Sequence, residues 1–550
     1  MVHSDLSSIS HESMHIDFSH KPDTNAKESK TEYNSDTDKD IEQNVSEDNL
    51  ARALSARQIQ MIAIAGVIGT GLFLGTGKSL ATGGPAALLI CYVIMGIIVY
   101  MTMISLGEMA TYMPVAGSFC TYASRFVDDS FGFSLTWNYW FNDAVSTASD
   151  LTALQLVFAY WNDFPAWIIS LIFWVFLLVI NFIHVRVYGE VEYWLALLKV
   201  VTIVIFFIMS IICNAGVNET HEYIGFVYWN LGDAPFVNGF KGFASVFVTA
   251  SFAYGGTESI GVTAGETRNP SRIMPKVVRT VFWRIVIFYI LTVFLIGITV
   301  PYTYPNLSNK STTTSPFTIV FQRVGTKAAG SFITAVIMTS VISAGNHALF
   351  AGTRLLYTLG CQGYAPRFFS KITKKSKIPY VALLSTWFVS GLCFGSSFIG
   401  AGNLWNWLQN LVGVSNQISW VSIGLTSIRF RKGIEAQGKT HLLKYKNWTY
   451  PYGPWFVVIA TSVIILIQGW SAFAPWDISS FFSYYIELAV FPLLYLGWKI
   501  WKRSSVVKYH EMDLETDRYI DTEEDLAEIE AEKNWNKKEK TWNIFKSFFI

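Results

Sequence analysis

A chain of 550 residues in which 51% are hydrophobic, 16% aromatic and only 15% charged is too apolar to be water-soluble throughout. Its net charge of +1 comes without a basic stripe, which gives no electrostatic footprint for nucleic acid. A polytopic membrane protein is the class that remains.

In chain order, residues 1–50 hold twelve acidic residues, four lysines and no arginine among many Ser, Asn and Thr. Such a segment buries too little apolar surface to fold and is expected to be a disordered tail. No basic stretch, short apolar core and small-residue cleavage site follow one another there, so no cleaved signal peptide is expected. About twelve apolar stretches come next, near 58–78, 84–108, 131–159, 166–185, 192–213, 242–263, 281–300, 328–351, 380–400, 404–427, 453–472 and 480–500. Each is about the 20 residues that a helix needs to cross a hydrocarbon core of ~30 Å. After Trp501 the chain turns polar, with an acidic patch from Glu511 to Glu532 and a basic, aromatic end from Lys537 to Phe549; a solvated tail is expected. The five cysteines have no metal-ligand spacing and read as packed free thiols.

Positive charge decides which loops face the cytosol. The loop after the sixth stretch carries Arg268, Arg272, Lys276, Arg279 and Arg284, that after the eighth Arg354, Arg367, Lys371, Lys374, Lys375 and Lys377, and that after the tenth Arg429, Arg431 and Lys432. The loop from Ala215 to Phe240 has no Lys or Arg. Alternate loops are therefore basic, which puts both termini in the cytosol and makes the span count even. Glycosylation sequons begin at Asn218 and Asn306, in loops placed outside, and at Asn447, in a loop placed inside.

The first stretch contains "IAGVIGTGLF", Ile64 to Phe73, whose glycines would unwind a helix in mid-membrane. Freed backbone groups cannot face hydrocarbon, so they must line a cavity or meet a ligand. A break at Gly69-Thr70-Gly71 leaves the outer half as a short helix whose N-terminus, with unpaired N–H groups and a positive dipole end, suits a carboxylate. Glycine for close helix packing would explain one such stretch equally well. The sixth stretch, however, reads "SFAYGGTESIG", Ser251 to Gly261, with Gly255 and its neighbours again in mid-span. Interrupted segments at corresponding positions of two five-span blocks are the mark of an inverted-repeat transporter with its site between the repeats. The organisation expected is a tail over 1–50, a first repeat over 51–214, a second over 215–432, two further spans within 433–503 and a cytosolic tail over 504–550.

"IAGVIGTGLFLG", "SLGEMATYMPVAGSF", "FAYGGTESIGVTAGETRNPSRIMPKVVR" and "SAGNHALFAGTRLLYTLG" closely resemble the fungal amino-acid permeases of the amino acid, polyamine and organocation superfamily, including lysine and basic amino-acid permeases. The likeness runs from about Ala51 to about Lys508. It implies an all-α, twelve-helix carrier of leucine-transporter fold that imports amino acids with protons across the plasma membrane and needs no cofactor beyond the proton gradient. By position, the resemblance gives Gly69, Thr70 and Gly71 to the substrate carboxylate, and backbone carbonyls around Ile68, Phe252, Ala253 and Tyr254 to its ammonium. It makes Phe252 an aromatic outer gate, Lys199 the counterpart of a lysine that replaces a sodium ion in a proton-coupled relative, and Glu258 a substrate- or proton-linked carboxylate.

Ionisable residues at membrane depth are costly and default to functional hypotheses. Asp143 and Asp150 are seven residues apart, on one face of a helix, and with Ser146 and Thr147 they make an acidic, polar stripe suited to a cationic side chain, a sulfonium or a polyamine-like group. Asp150 matches a carboxylate of basic amino-acid permeases, whereas Asp143 stands where many relatives carry tryptophan. A bond to neighbouring helices through Asn142 or a serine is the plain alternative for Asp143. Lys199 could release its proton as its surroundings change, or could lock helices together as a fixed pair. Glu108 and Glu266 read as inner-gate or loop-locking residues near Arg125 and Arg268, Glu487 as a packing residue, and Asn346 and His347 as candidates for the ion side of the pocket.

The favoured expectation is a secondary active permease for cationic amino acids. A broad-range or sulfonium amino-acid permease and a non-transporting sensor are the alternatives. No metal cluster, Ser/His arrangement or phosphate loop argues for an enzyme or an ATP-driven pump. Lys21, Lys27, Lys30 and Lys39 are candidate ubiquitin acceptors for a ligase that would remove the protein from the surface.

Overall fold

The computed structural model describes residues 68–523 apart from 116, 163, 184, 260, 262–269, 308–313, 326, 375 and 474, with a few single positions beyond. The amino-terminal tail with its four lysines, the start of the first stretch, Glu266 and Arg268 lie outside the described residues. Helix is present in the described part of each of the twelve apolar stretches. α1 (Gly71–Tyr112) opens as a π-helical turn over Gly71–Gly75. Its 42 residues at ~1.5 Å each would be about twice as long as a ~30 Å hydrocarbon core is thick. The run breaks at Gly84, whose φ of 82° and ψ of 174° no helix tolerates, just before Pro85. The first two stretches are thus separate helical halves meeting at one residue.

A short α2 (Phe119–Phe126) leads to α3 (Asp129–Phe158), begun by Asp128, whose side chain accepts from the Ser130 N–H. Then come α4 (Ala166–Ile183), α5 (Val185–Asn214) and α6 (Gly239–Tyr254). α7 runs through Pro270–Arg284, a π-helical stretch Ile285–Leu291 and Thr292–Thr299. The short α8 (Pro316–Val324) precedes α9 (Lys327–Cys361), α10 (Tyr380–Ile399), α11 (Ala401–Ala436), α12 (Tyr452–Ile467) and α13 (Ile478–Lys502). Among the described residues seven helices, α1, α5, α7, α9, α10, α12 and α13, are long and apolar enough to cross a membrane by length and composition, their spans differing by up to five residues from the helix bounds above. α3 and α11 fall outside that set because polar side chains are built into them, and α6 because it stops at Tyr254.

α3 is the axis, packed against α9, α11, α13, α2, α4 and α10, while α1 packs along α6. The outward faces of α4, α12 and α13 stay apolar and open, with Ile172, Leu466, Leu493 and Ile500 all more than half exposed. An apolar surface of that extent needs lipid to cover it. Four cysteines are buried and Cys361 is exposed, with no disulfide between them among the described residues.

The carboxy-terminal segment departs from the solvated tail expected. The Val507 N–H donates to the Val127 carbonyl and the Tyr519 N–H to that of Tyr112. Arg429 donates to the carbonyls of Phe126 and Val507, Gln437 to those of Tyr509 and Met512, and Met512 and Leu514 are 3% and 1% exposed. The stretch is polar overall yet carries two well-spaced apolar side chains, and those dock it on the helix ends. The sequon at Asn218 is likewise occupied: its amide is buried and donates to the carbonyls of Cys213 and Glu222.

Candidate functional site

Both broken helices meet where the sequence places the breaks. α1 starts beside a bend at Ile68 and Gly69, and the Leu72 and Phe73 N–H groups of its opening turn donate to the Gly69 carbonyl at 3.2 and 3.3 Å. A Cβ on Gly71 would lie 2.4 Å from the Ala253 Cα, so only glycine allows α1 and α6 to cross this closely. α6 ends at Gly255 (φ −56°, ψ 150°), followed by Gly256 at φ 84°. A Cβ on Gly255 would lie 2.0 Å from the Asn416 amide nitrogen.

Between the breaks lies a cavity of ≈ 50 Å³ lined by Gly69, Thr70, Gly71, Asp143, Ser146, Asp150, Phe252, Ala253 and Gly255, with His347, Ser259 and Asn416 among its other walls. At ~10–15 Å³ per water centre it holds a few waters. The Thr70 hydroxyl donates to Asp150 Oδ1 at 2.6 Å, tying the start of α1 to α3. Asp143 is 8% exposed, its Oδ2 is fully buried, and that oxygen has no hydrogen-bond partner among the described residues. Asn142 does bridge helices, donating to the Val412 carbonyl at 3.2 Å and to Asn416 Oδ1 at 2.8 Å, but Asp143 takes no part in that bridge.

Several expected residues stand off the cavity wall, among them Ile68, Tyr254, Glu258, Lys199, Thr147 and Asn346. Ile68 is buried in the core. The Tyr254 carbonyl accepts from Thr257 at 2.7 Å, and that of Ala253, itself a wall residue, accepts from Tyr289 at 2.8 Å; hydroxyls within reach already serve two of the carbonyls expected for an ammonium. Glu258 is fully buried behind the cavity, where Tyr139 donates to its Oε1 and Trp420 to its Oε2, each at 3.0 Å. Lys199 is fully buried, within electrostatic reach of Glu192 and Asp150.

Sequence reasoning missed Glu192. Its oxygens accept from Ser343 at 2.5 Å and Asn346 at 2.8 Å, and Asn181 donates to Asn346 at 2.8 Å. The signal is its place seven residues before Lys199, on the same face; a stretch that starts at 192 makes it a helix-end position, whereas α5 begins at Val185. His347, in contrast, was named and does line the cavity.

Glu108 is fully buried, but its partner is not Arg125. Arg431 Nη2 lies 3.0 Å from Glu108 Oε1, and the Asn447 N–H donates to the same oxygen at 2.8 Å, so Glu108 joins α1, α11 and the loop after α11. Arg125 instead pairs with Asp517 at 2.9 Å. The carboxy-terminal segment, invisible to loop reasoning, supplies that partner.

The described residues form a multi-span helical bundle in which two helix ends meet around a small polar cavity. The chain belongs to the amino acid permease family, whose family model matches residues 58–511. It is 47% identical over 488 residues to a probable amino-acid permease of Schizosaccharomyces pombe, covering 86% of this chain and 96% of that one. Against the lysine-specific permease LysP of Escherichia coli it is 42% identical over 470 residues, 84% of this chain and 96% of the relative. Against the lysine-specific permease of Saccharomyces cerevisiae it is 36% identical over 523 residues, 92% and 85% of the two chains. These relatives are named as permeases, transporters rather than enzymes, and the protein is an amino-acid permease of multi-pass membrane type.

Proposed function

We propose that this permease imports cationic amino acids of the lysine and arginine type, driven by protons, across the plasma membrane with both termini in the cytosol. The observation that carries the cationic preference is Asp143: a carboxylate on the cavity wall whose buried oxygen has no hydrogen-bond partner among the described residues. A buried carboxylate left unpaired is costly, and a cationic side chain in the cavity relieves the cost. Two lysine-specific permeases among the relatives support the same reading.

In this reading the chain is two inverted repeats, 51–214 and 215–432, followed by α12 and α13. The substrate carboxylate meets the backbone N–H groups of Gly69, Thr70 and Gly71 at the start of α1, where the positive end of the helix dipole favours an anion. The ammonium meets backbone near Phe252 and Gly255 with Asp150, and the side chain reaches Asp143 past Ser146. Phe252 closes the outer side. Glu258, sealed by Tyr139 and Trp420, acts by holding the break in α6 rather than by touching substrate. Lys199, with Asp150 on the cavity side and Glu192 seven residues nearer the cytosol, carries the proton. Glu108 with Arg431 holds the inner side shut. The lysines of the amino-terminal tail serve a ubiquitin ligase in removal from the surface.

The test is uptake of labelled lysine, at acid and at neutral pH, in cells lacking their own basic amino-acid carriers. Saturable uptake that rises at acid pH, collapses with a protonophore and is blocked by arginine is the expected outcome. A surface-localised protein that takes up neutral amino acids but not lysine would overturn the cationic preference. Uptake indifferent to the protonophore would overturn proton coupling.

A further inference from the structure

Beside the cavity, α3, α4, α5 and α9 meet in a buried polar cluster. Glu192 of α5 is fully buried and lies off the cavity wall. Ser343 and Asn346 of α9 donate to its two oxygens at 2.5 and 2.8 Å, and Asn181 of α4 donates to Asn346 in turn. Gly345, between those two donors in sequence, faces α3 instead: a Cβ there would lie 3.3 Å from the Asp150 Cβ and 3.8 Å from its Oδ2. One turn of α9 thus stands between a carboxylate on the cavity wall, Asp150, and one sealed away from it, Glu192. Lys199 is fully buried and within electrostatic reach of both; His347, next to Asn346, is in reach of it as well. The other helices packed on α5 add no competing charge: α4 and the Thr292–Thr299 segment of α7 contain no charged residue, and Arg323 of α8 donates to the Thr299 carbonyl and the Tyr228 hydroxyl. Glu190, two residues from Glu192, is exposed.

We propose that Glu192 is the inner proton acceptor of the transport cycle: when the substrate ammonium reaches Asp150, Lys199 passes its proton to Glu192, from which it leaves to the cytosol. The argument is one of charge. In their ionised forms Asp150, Glu192 and Lys199 make two anions and one cation. A substrate ammonium at Asp150 brings a second cation toward Lys199, and a nearby like charge favours the neutral form of the lysine. Glu192 is the other carboxylate in reach. The Nζ–H bond of Lys199 breaks and an Oε–H bond forms on Glu192, which leaves a neutral amine, a neutral carboxylic acid and the substrate ammonium paired with Asp150. No uncompensated charge then remains in the buried cluster, the arrangement that a low dielectric favours. Ser343 and Asn346 hold the carboxyl in place before the transfer and after the proton has gone to water. Because the step needs a substrate at Asp150, the cluster does not pass protons without cargo. The inference rests on the proton-coupled reading above and on Asp150 as the partner of the substrate ammonium, and is independent of the preference for cationic side chains.

Purified protein in liposomes is read two ways, with labelled lysine and with a labelled neutral amino acid. Exchange against unlabelled internal substrate at equal pH needs no net proton movement, whereas accumulation into empty vesicles is driven by an imposed pH gradient, interior alkaline. Glu192→Gln is expected to keep exchange, since Glu192 does not touch the cavity, and to lower accumulation by about 5-fold or more, the low end of a typical coupling between two sites. Glu192→Asp, which restores a carboxyl, is expected to recover part of the accumulation. Ser343→Ala leaves the carboxyl in place with one donor fewer and is expected to shift upward the interior pH at which accumulation is half-maximal, because release then needs a more alkaline interior. Accumulation by Glu192→Gln equal to that of the wild type would overturn the proposal. So would exchange and accumulation falling by the same factor, which would make Glu192 a tie between α5 and α9 and nothing more. If Glu192→Gln does not fold, Ser343→Ala decides, and an unmoved pH profile counts against the proposal. A wild type that accumulates neither substrate on the gradient would refute proton coupling itself, and this step with it, before any variant is read.

Discussion

Replacing Gly71 by alanine should damage this permease, although alanine is the better helix former. The added methyl would lie 2.4, 2.9 and 2.8 Å from the Cα, N and Cβ of Ala253, and backbone cannot swing aside as a side chain can. Ordinary contact begins near 3.4 Å, so α1 and α6 must part by about 1 Å. Overpacking of this kind costs about 1–3 kcal/mol, and the upper end applies because two of the three clashing atoms are main chain. The helix-propensity gain of up to about 1 kcal/mol offsets part of that. The net, about 2 kcal/mol, shifts the balance away from the close crossing of α1 and α6 by roughly 30-fold. Thermal unfolding of detergent-purified protein should show a lowered Tm, and uptake per molecule at the surface should fall by a similar factor. Gly497→Ala is the control, since a Cβ there meets nothing within 4 Å, and it should be neutral or slightly stabilising. A Gly71→Ala protein with undiminished uptake and a raised Tm would refute the close crossing of the two breaks.

Arg431→Ala should destabilise by about 3–5 kcal/mol by leaving Glu108 buried without its cation, whereas Arg431→Ala with Glu108→Gln should recover part of it; equal thermal shifts in the single and double variants would refute the coupling. Asp128, at the head of α3, is held below its ordinary value: burial pushes it up, but hydrogen bonds from Lys499, Ser504 and the Ser130 N–H outweigh burial. A carboxyl depressed in the fold contributes stability above its unfolded value, near pH 4, that is lost as pH falls through the folded value. Acid unfolding of wild type should thus carry a component absent from Asp128→Asn, and superimposable acid profiles would remove Asp128 from the account. Both oxygens of Glu487 are buried without a hydrogen-bond partner among the described residues, so Glu487→Leu should stabilise, by about 1–4 kcal/mol on the pattern of buried charges replaced by apolar groups, with uptake unchanged; lost uptake would mean that the carboxylate is used.

Much of the fold was legible because lipid imposes length and apolarity on every crossing segment. The two breaks were legible for a related reason, since glycines and hydroxyls in mid-span have no other place to go than a cavity. Asp143, Asp150 and Ser146 were readable as one face from spacing alone. What could not be read were contacts between residues far apart in the chain. Nothing in the sequence pairs Arg431 with Glu108 or Arg125 with Asp517, because each pair depends on how helix ends and a tail are packed. The carbonyls of Ala253 and Tyr254 seemed open to a ligand, yet Tyr289 and Thr257 donate to them; which hydroxyl reaches which carbonyl is decided by helix rotation. Glu192 was hidden by a misplaced helix start, since seven added residues turn an end position into a buried one.

The most direct measurement is the ratio of lysine to neutral amino-acid uptake in Asp143→Asn, at matched surface abundance. Removing the charge while keeping the shape should lower lysine kcat/KM by about 10- to 100-fold, the loss of roughly 1.5–3 kcal/mol for a hydrogen bond to a charged group, and leave or improve neutral uptake. Uptake of lysine and of the neutral substrate falling together, or neither changing, would contradict the assignment of Asp143 as the partner of a cationic side chain.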